Sequence, residues 1–333
     1  MLLDNQPRVR LMNGETPLEP AARLGNALGI PLCFKRDDVM SLGMGGNKVR
    51  SLEFWLGEAL EQGCDTVLVG GLPQSNLCRL TAAACARTGL SCTVIHNADE
   101  PPAGSVLQGN ALLNRLMGVQ TLYCGPVDEY RRMDFIRQQA ELLRAQGKKP
   151  YIIGDPVTGA LGYVSAALEL CAQADRGVIP VPLRHVFISA SAGPTETGLL
   201  FGLCLAGGVT VHLVSVEYGE AVFWDIADKI FAGLEKRLGV RPACDMHQTA
   251  RFYGQYLGGG YGRPTSGALE AVRTLARFEG IFAETVYNAK VLHGLMDLAQ
   301  NRMLPPDEGV CFYHTGGSPA LFGQAAQFAG GTE

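Results

Sequence analysis

The sequence predicts an α/β protein with mostly parallel sheets, divided into two lobes. Three observations carry that prediction. Short apolar runs recur along the chain, as in Thr66-Val67-Leu68-Val69, Cys92-Thr93-Val94-Ile95 and Val186-Phe187-Ile188. Runs of this kind suit strands buried on both faces. Helix-length segments alternate with them, at 48–61, 75–88, 109–117, 128–146, 159–172, 197–206 and 266–278. The length of 333 residues has room for two domains. Two complete strand–helix units fall within 51–160, and Gly154-Asp155-Pro156 punctuates the end of that stretch. Residues 51–160 are therefore expected to form a small domain, inserted into a large domain built from 1–50 and 161–333.

The composition excludes several classes. A net charge of −4 and a pI near 5.9 leave no basic footprint for nucleic acid. The stretch 199–216 lacks Asp, Glu, Lys and Arg, but Gly207-Gly208 and the β-branched run behind it read as a buried helix followed by a buried strand. No membrane span and no secretory leader are expected. Ten cysteines are scattered without a CxxC pair, which suits reduced thiols in the cytoplasm. The six histidines show no metal-ligand spacing.

In chain order, the first chemical candidate follows the strand-like run 32–36. Gly45-Gly46-Asn47-Lys48 puts a lysine after a glycine turn and at the head of an amphipathic helix, within reach of an aldehyde if burial lowers its pKa. The same tetrapeptide also describes an ordinary surface lysine. After the strand 66–69, Gln74-Ser75-Asn76 opens the next helix; its small polar residues either cap that helix or grip a carboxylate or phenolate. Cys78 lies in the first turn of that helix, where the helix dipole lowers a thiol pKa unless the group is plain packing. The strand 186–188 leads into Ser189-Ala190-Ser191-Ala192-Gly193-Pro194-Thr195-Glu196, a strand–turn–helix junction suited to a phosphate or to simple capping. Walker A and GxGxxG patterns are absent. Tyr261 sits among four glycines, and Tyr287 precedes Asn288. The run 309–312 ends at Tyr313-His314-Thr315, placing Thr315 at the carboxyl end of a strand.

Taken together and in order, Lys35-Arg36-Asp37-Asp38, Gly45-Gly46-Asn47-Lys48, Gln74-Ser75-Asn76, Gly159-Ala160-Leu161-Gly162-Tyr163, Gly260-Tyr261-Gly262 and His314-Thr315-Gly316-Gly317 resemble the D-cysteine desulfhydrase and 1-aminocyclopropane-1-carboxylate (ACC) deaminase family. The resemblance runs from Thr16 to Phe322. It implies a tryptophan-synthase-β-like fold, a homodimer, pyridoxal 5'-phosphate as cofactor and a small amino-acid substrate. By position, Lys48 would bond to the cofactor aldehyde and act as catalytic base, with Tyr287 or Tyr261 assisting. Asn76 would contact the phenolic oxygen, the turn through Ser191, Ala192, Gly193 and Thr195 the phosphate, and Thr315 the ring nitrogen. Ser75, Gln74, Leu77 and Asn288 would face the substrate. Deaminase members carry Glu at the position of Asn288 and Leu at that of Thr315. The neutral Thr315 points to α,β-elimination, a carbon–sulfur lyase activity releasing pyruvate, ammonia and sulfide or sulfite. Ring-opening deamination and a non-catalytic cofactor-binding homologue are the alternatives. Leu77, Pro194 and Glu196 depart from the family pattern: Pro194 has no N–H to donate, and Glu196 adds negative charge.

Overall fold

A computed structural model describes residues 2–329. The strands are β1 Leu18–Pro20, β2 Leu32–Arg36, β3 Thr66–Gly71, β4 Ser91–His96, β5 Gln120–Tyr123, β6 Pro150–Ile152, β7 Leu183–Ala190, β8 Thr210–Ser215, β9 Ala250–Tyr253 and β10 Gly309–His314. The helices are α1 Ala22–Leu28, α2 Lys48–Glu61, α3 Asn76–Thr88, α4 Gly109–Leu116, α5 Glu129–Ala145, α6 Pro156–Ala174, α7 Pro194–Ala206, α8 Glu220–Leu238, α9 Met246–Thr249, α10 Ser266–Glu279, α11 Asn288–Gln300 and α12 Ser318–Leu321.

Two sheets organise the chain. The larger has the order β1-β2-β10-β7-β8-β9, parallel apart from the β1–β2 pair. The smaller, β5-β4-β3-β6, is parallel throughout. Apolar side chains cover both faces of each sheet, so strands such as Val67-Leu68-Val69 are buried completely. That double burial is why they read as unbroken apolar runs rather than alternating ones. The smaller sheet spans 66–152, inside the segment expected as the small domain. The stretch 199–216 is the rest of α7 followed by β8, and no helix among the described residues is long and apolar enough to cross a membrane.

Helices α2 and α6 join the sheets. Asp155 caps α6, its Oδ1 accepting from the Thr158 N–H at 2.8 Å, and Pro156 occupies the first turn, so the helix begins three residues earlier than the sequence suggested. Gly162 lets α6 lie directly against the Arg50 backbone of α2; a Cβ there would overlap the Arg50 carbonyl.

A buried ion network locks this junction. Arg50 donates from Nε and Nη2 to the two Asp37 oxygens, each at 2.9 Å, and from Nη1 and Nη2 to Glu169, also at 2.9 Å. Lys35 donates to Glu169 and, at 2.7 Å, to the Thr16 carbonyl; the Tyr163 hydroxyl donates to Asp37 at 2.6 Å. Burial alone would push the Glu169 carboxyl up, but hydrogen bonds and charge from Arg50 and Lys35 bring it down to about 2. Replacing Arg50 by Met strands Asp37 and Glu169 in the interior. Urea unfolding of this variant is expected to show a loss of about 3–5 kcal/mol, whereas removing Arg50 and Asp37 together should lose less than the two single changes summed.

Candidate functional site

A cavity of about 530 Å³ opens where the carboxyl ends of β3, β7, β8 and β10 converge. Its wall includes Lys48, Gln74, Ser75, Asn76, Leu77, Ser191, Ala192, Thr195, Tyr261, Tyr287 and Thr315. Residues predicted from six separate segments thus meet at one place. Gly193 and Asn288 lie just behind the wall.

Lys48 is positioned by its turn. Gly45 and Gly46 hold φ of 71° and 128°, and a Cβ on Gly45 would collide with the Asp38 backbone. The Gly46 N–H donates to the Asp37 carbonyl at 2.9 Å and the Asn47 N–H to the Thr315 carbonyl at 2.8 Å. From α3, the buried Arg79 donates to the carbonyls of Gly43 and Gly45, the latter at 3.1 Å. The Lys48 ammonium is aimed at Thr195, donating to Oγ1 at 3.3 Å. Desolvation lowers its pKa, opposed by the carboxylates of Glu196 and Glu217.

The small sheet supplies the opposite wall. Ser75 is the N-cap of α3, its Oγ accepting from the Cys78 N–H at 3.3 Å. Asn110 donates from Nδ2 to Asn76 Oδ1 at 2.8 Å and to the Gln74 carbonyl at 2.6 Å. With its oxygen taken, Asn76 presents the Nδ2 donor to the cavity. Gln74 Oε1 accepts from the Asn110 N–H at 2.9 Å, so this side chain also braces α4. Cys78 is packing: burial pushes its thiol up to about 12, overriding any dipole effect.

The large-domain wall carries a similar arrangement. Asn288 Oδ1 accepts from both the N–H and the hydroxyl of Thr315, at 3.0 and 3.1 Å, while its Nδ2 donates to the Gly316 carbonyl at 2.7 Å. These partners fix which way the amide points. The Thr315 hydroxyl proton goes to Asn288, leaving its lone pairs toward the cavity. Asn288 thus acts behind Thr315 rather than on the cavity surface, unlike the expectation that it faces substrate. The hydroxyls of Tyr261 and Tyr287 lie 2.5 Å apart. Burial raises both pKa values, Tyr287 strongly, so the pair stays protonated at neutral pH.

The lining also includes Glu217, Glu284 and Arg132, which the sequence reading does not single out. Glu217 follows the strand run 211–216 directly, a position where sites gather, and its Oε2 accepts from Ser191 Oγ. Glu196, noted only for its charge, is buried and accepts from the backbone N–H groups of Ser191 and Gly193. Glu284 caps α11, accepting from the N–H groups of Val286, Tyr287 and Asn288. Arg132, in the first turn of α5 beside Arg131, gives no local signal; it donates to Asn97 Oδ1 and Glu129 Oε1, each at 3.1 Å.

The lowered Lys48 pKa leaves more of the neutral amine at a given pH than an ordinary lysine would have. Competitive labelling of cofactor-free protein with acetic anhydride across the alkaline range, read peptide by peptide, should place its half-titration below the ordinary lysine range. Half-titration within that range would contradict the desolvation argument.

Comparison with known proteins agrees with this geometry. The family model described as pyridoxal-phosphate dependent enzyme matches residues 9–316. A D-cysteine desulfhydrase of Salmonella schwarzengrund is 35% identical over 327 residues, covering 95% of both chains. A crystal structure titled ACC deaminase homologue superposes with a TM-score of 0.88 at 32% identity, over 98% of this chain and 96% of the other. Threonine deaminase isoform 2 from Solanum lycopersicum, at 16% identity and a TM-score of 0.66, shares the fold over 96% of this chain and 84% of its own. With the family model matching residues 9–316 and a homologous structure superposing over almost the whole length, the chain belongs to the family of pyridoxal-phosphate dependent enzymes.

Proposed function

We propose that this enzyme catalyses α,β-elimination on a small amino acid, in the manner of a D-cysteine desulfhydrase, giving pyruvate, ammonia and sulfide, or sulfite from a cysteate-type substrate. The neutral Thr315 hydroxyl, braced by Asn288 instead of a carboxylate, is the observation that carries the reading. The residues fit the family cofactor. Lys48 offers a half-buried amine, Asn76 a donor for the phenolic oxygen, Thr315 a hydroxyl for the ring nitrogen, and the turn of Ser191, Ala192, Gly193 and Thr195 an anion seat. When bound, pyridoxal phosphate supplies an electron sink for charge developing at the substrate α-carbon.

The protein's own groups do the rest. Ser75 and the N-terminus of α3 hold the substrate carboxylate, with Gln74 and Leu77 beside it. Lys48 Nζ takes the α-proton, which its lowered pKa favours. The Tyr287–Tyr261 pair, whose phenols favour the protonated form, donates to the departing β group. Leu77 adds an apolar patch where a thiol or other poorly hydrated leaving group is accommodated.

Ring opening of the cyclopropane amino acid is the second reading, favoured by Glu284, whose Oε1 accepts from Asn288 Nδ2 at 3.2 Å, just behind Thr315. The proposal extends to a homodimer in the cytoplasm, supported by the family resemblance and by ten unpaired cysteines, and to residues 51–160 as the lobe that carries the substrate-carboxylate side.

A panel of D- and L-cysteine, cysteate, β-chloroalanine and the cyclopropane acid separates the readings. Pyruvate should form from one or more of the β-substituted substrates; 2-oxobutyrate from the cyclopropane acid alone would favour ring opening. Lys48→Ala should abolish turnover and the cofactor's visible absorbance. Tyr287→Phe should lower kcat about a hundredfold or more while the absorbance persists.

A further inference from the structure

The N-terminus of α7 is already filled by an anion of the chain itself. Gly193, at φ 102°, turns the backbone so that the N–H groups of Ser191 and Gly193 converge on one point. The Glu196 carboxylate sits there, its Oε1 accepting from both, and it is 3% exposed. Pro194 removes another donor from the same turn. Ser191 Oγ is also engaged, donating to Glu217. Three donors of the turn are thus spoken for by carboxylates, and both carboxylates face Lys48 across the cavity.

We propose that Glu196 competes with the cofactor's phosphate group for this seat, so that the phosphate adds little to cofactor affinity in this chain. The inference rests on the reading of this turn as the phosphate site. Two like charges cannot share a pair of backbone N–H groups. Either the Glu196 side chain rotates away, or the phosphate settles for the remaining donors, the N–H of Ala192 and the N–H and hydroxyl of Thr195. In both cases the cofactor is held chiefly through Lys48 and the ring contacts. Burial disfavours the Glu196 carboxylate, which keeps its displacement within reach.

The test is equilibrium binding to cofactor-stripped protein, followed by visible absorbance, with pyridoxal phosphate and with pyridoxal. Both aldehydes use Lys48, so their difference isolates the phosphate. Wild-type protein is expected to prefer pyridoxal phosphate by less than about a hundredfold, and Glu196→Gln to tighten pyridoxal phosphate roughly tenfold while pyridoxal stays within about twofold. The Gln side chain keeps an acceptor for the two N–H groups, and an unchanged circular dichroism melt would show that the helix cap survives. An unchanged or weakened affinity for pyridoxal phosphate in a folded Glu196→Gln protein would overturn the proposal, as would an equal gain for both aldehydes. Should that variant not fold, the wild-type ratio decides: a preference for the phosphorylated aldehyde above about ten-thousandfold sinks the idea. Uptake of neither aldehyde would remove the Lys48 reading itself, and this proposal with it.

Discussion

The contact between Arg50 and the carboxylates of Asp37 and Glu169 is the constraint on which the site depends. Arg50 lies two residues beyond Lys48 on α2, Asp37 follows β2, and Glu169 belongs to α6. One guanidinium therefore ties the helix bearing the lysine to the end of a strand and to the helix crossing between sheets. Removing charged groups from water is unfavourable, and the network is tolerable only because nearly every donor and acceptor in it is matched. Thr16, Tyr163 and Gln173 complete it. Its geometry fixes the direction in which α2 begins, and so where the Lys48 side chain emerges.

A second theme is the setting of polarity by residues that touch no ligand. Asn110 and Asn288 each use one side-chain amide to decide what a neighbour shows to the cavity. Asn76 is left with a donor and Thr315 with lone pairs. Glu284 does comparable work on the backbone, neutralising the start of α11 beside Tyr287. What Asn76 and Thr315 offer to the cavity is therefore fixed from behind its wall, by Asn110 and Asn288.

Much of the fold could be read along the chain, because strands buried on both faces announce themselves as apolar runs. The short strands β1, β5, β6 and β9 did not, since three or four residues are too few for any periodicity to emerge. Helices α8 and α11 have no counterpart in the sequence expectation, although both are amphipathic. Within the site, residues in glycine-rich turns at strand ends were legible: Lys48, Ser75, Asn76, Thr195 and Thr315. Arg132 was not, because nothing distinguishes it within the charged first turn of α5 and only tertiary packing brings it to the cavity. Glu196 was noticed as a charge, but its contact with its own turn depends on the φ of Gly193, which no motif records.

Packing between α2 and α6 has one further implication. Trp55 of α2 stacks over Gly159 of α6 so closely that any side chain at 159 would overlap the indole, whose Nε1 donates to the Asp155 carbonyl at 2.7 Å. The chain has only one other tryptophan, Trp224, half-buried on α8 beside His247. An intrinsic fluorophore is consequently built into the contact between α2 and α6. Any change in that packing would alter the surroundings of the ring, so the molecule carries its own optical gauge of this contact.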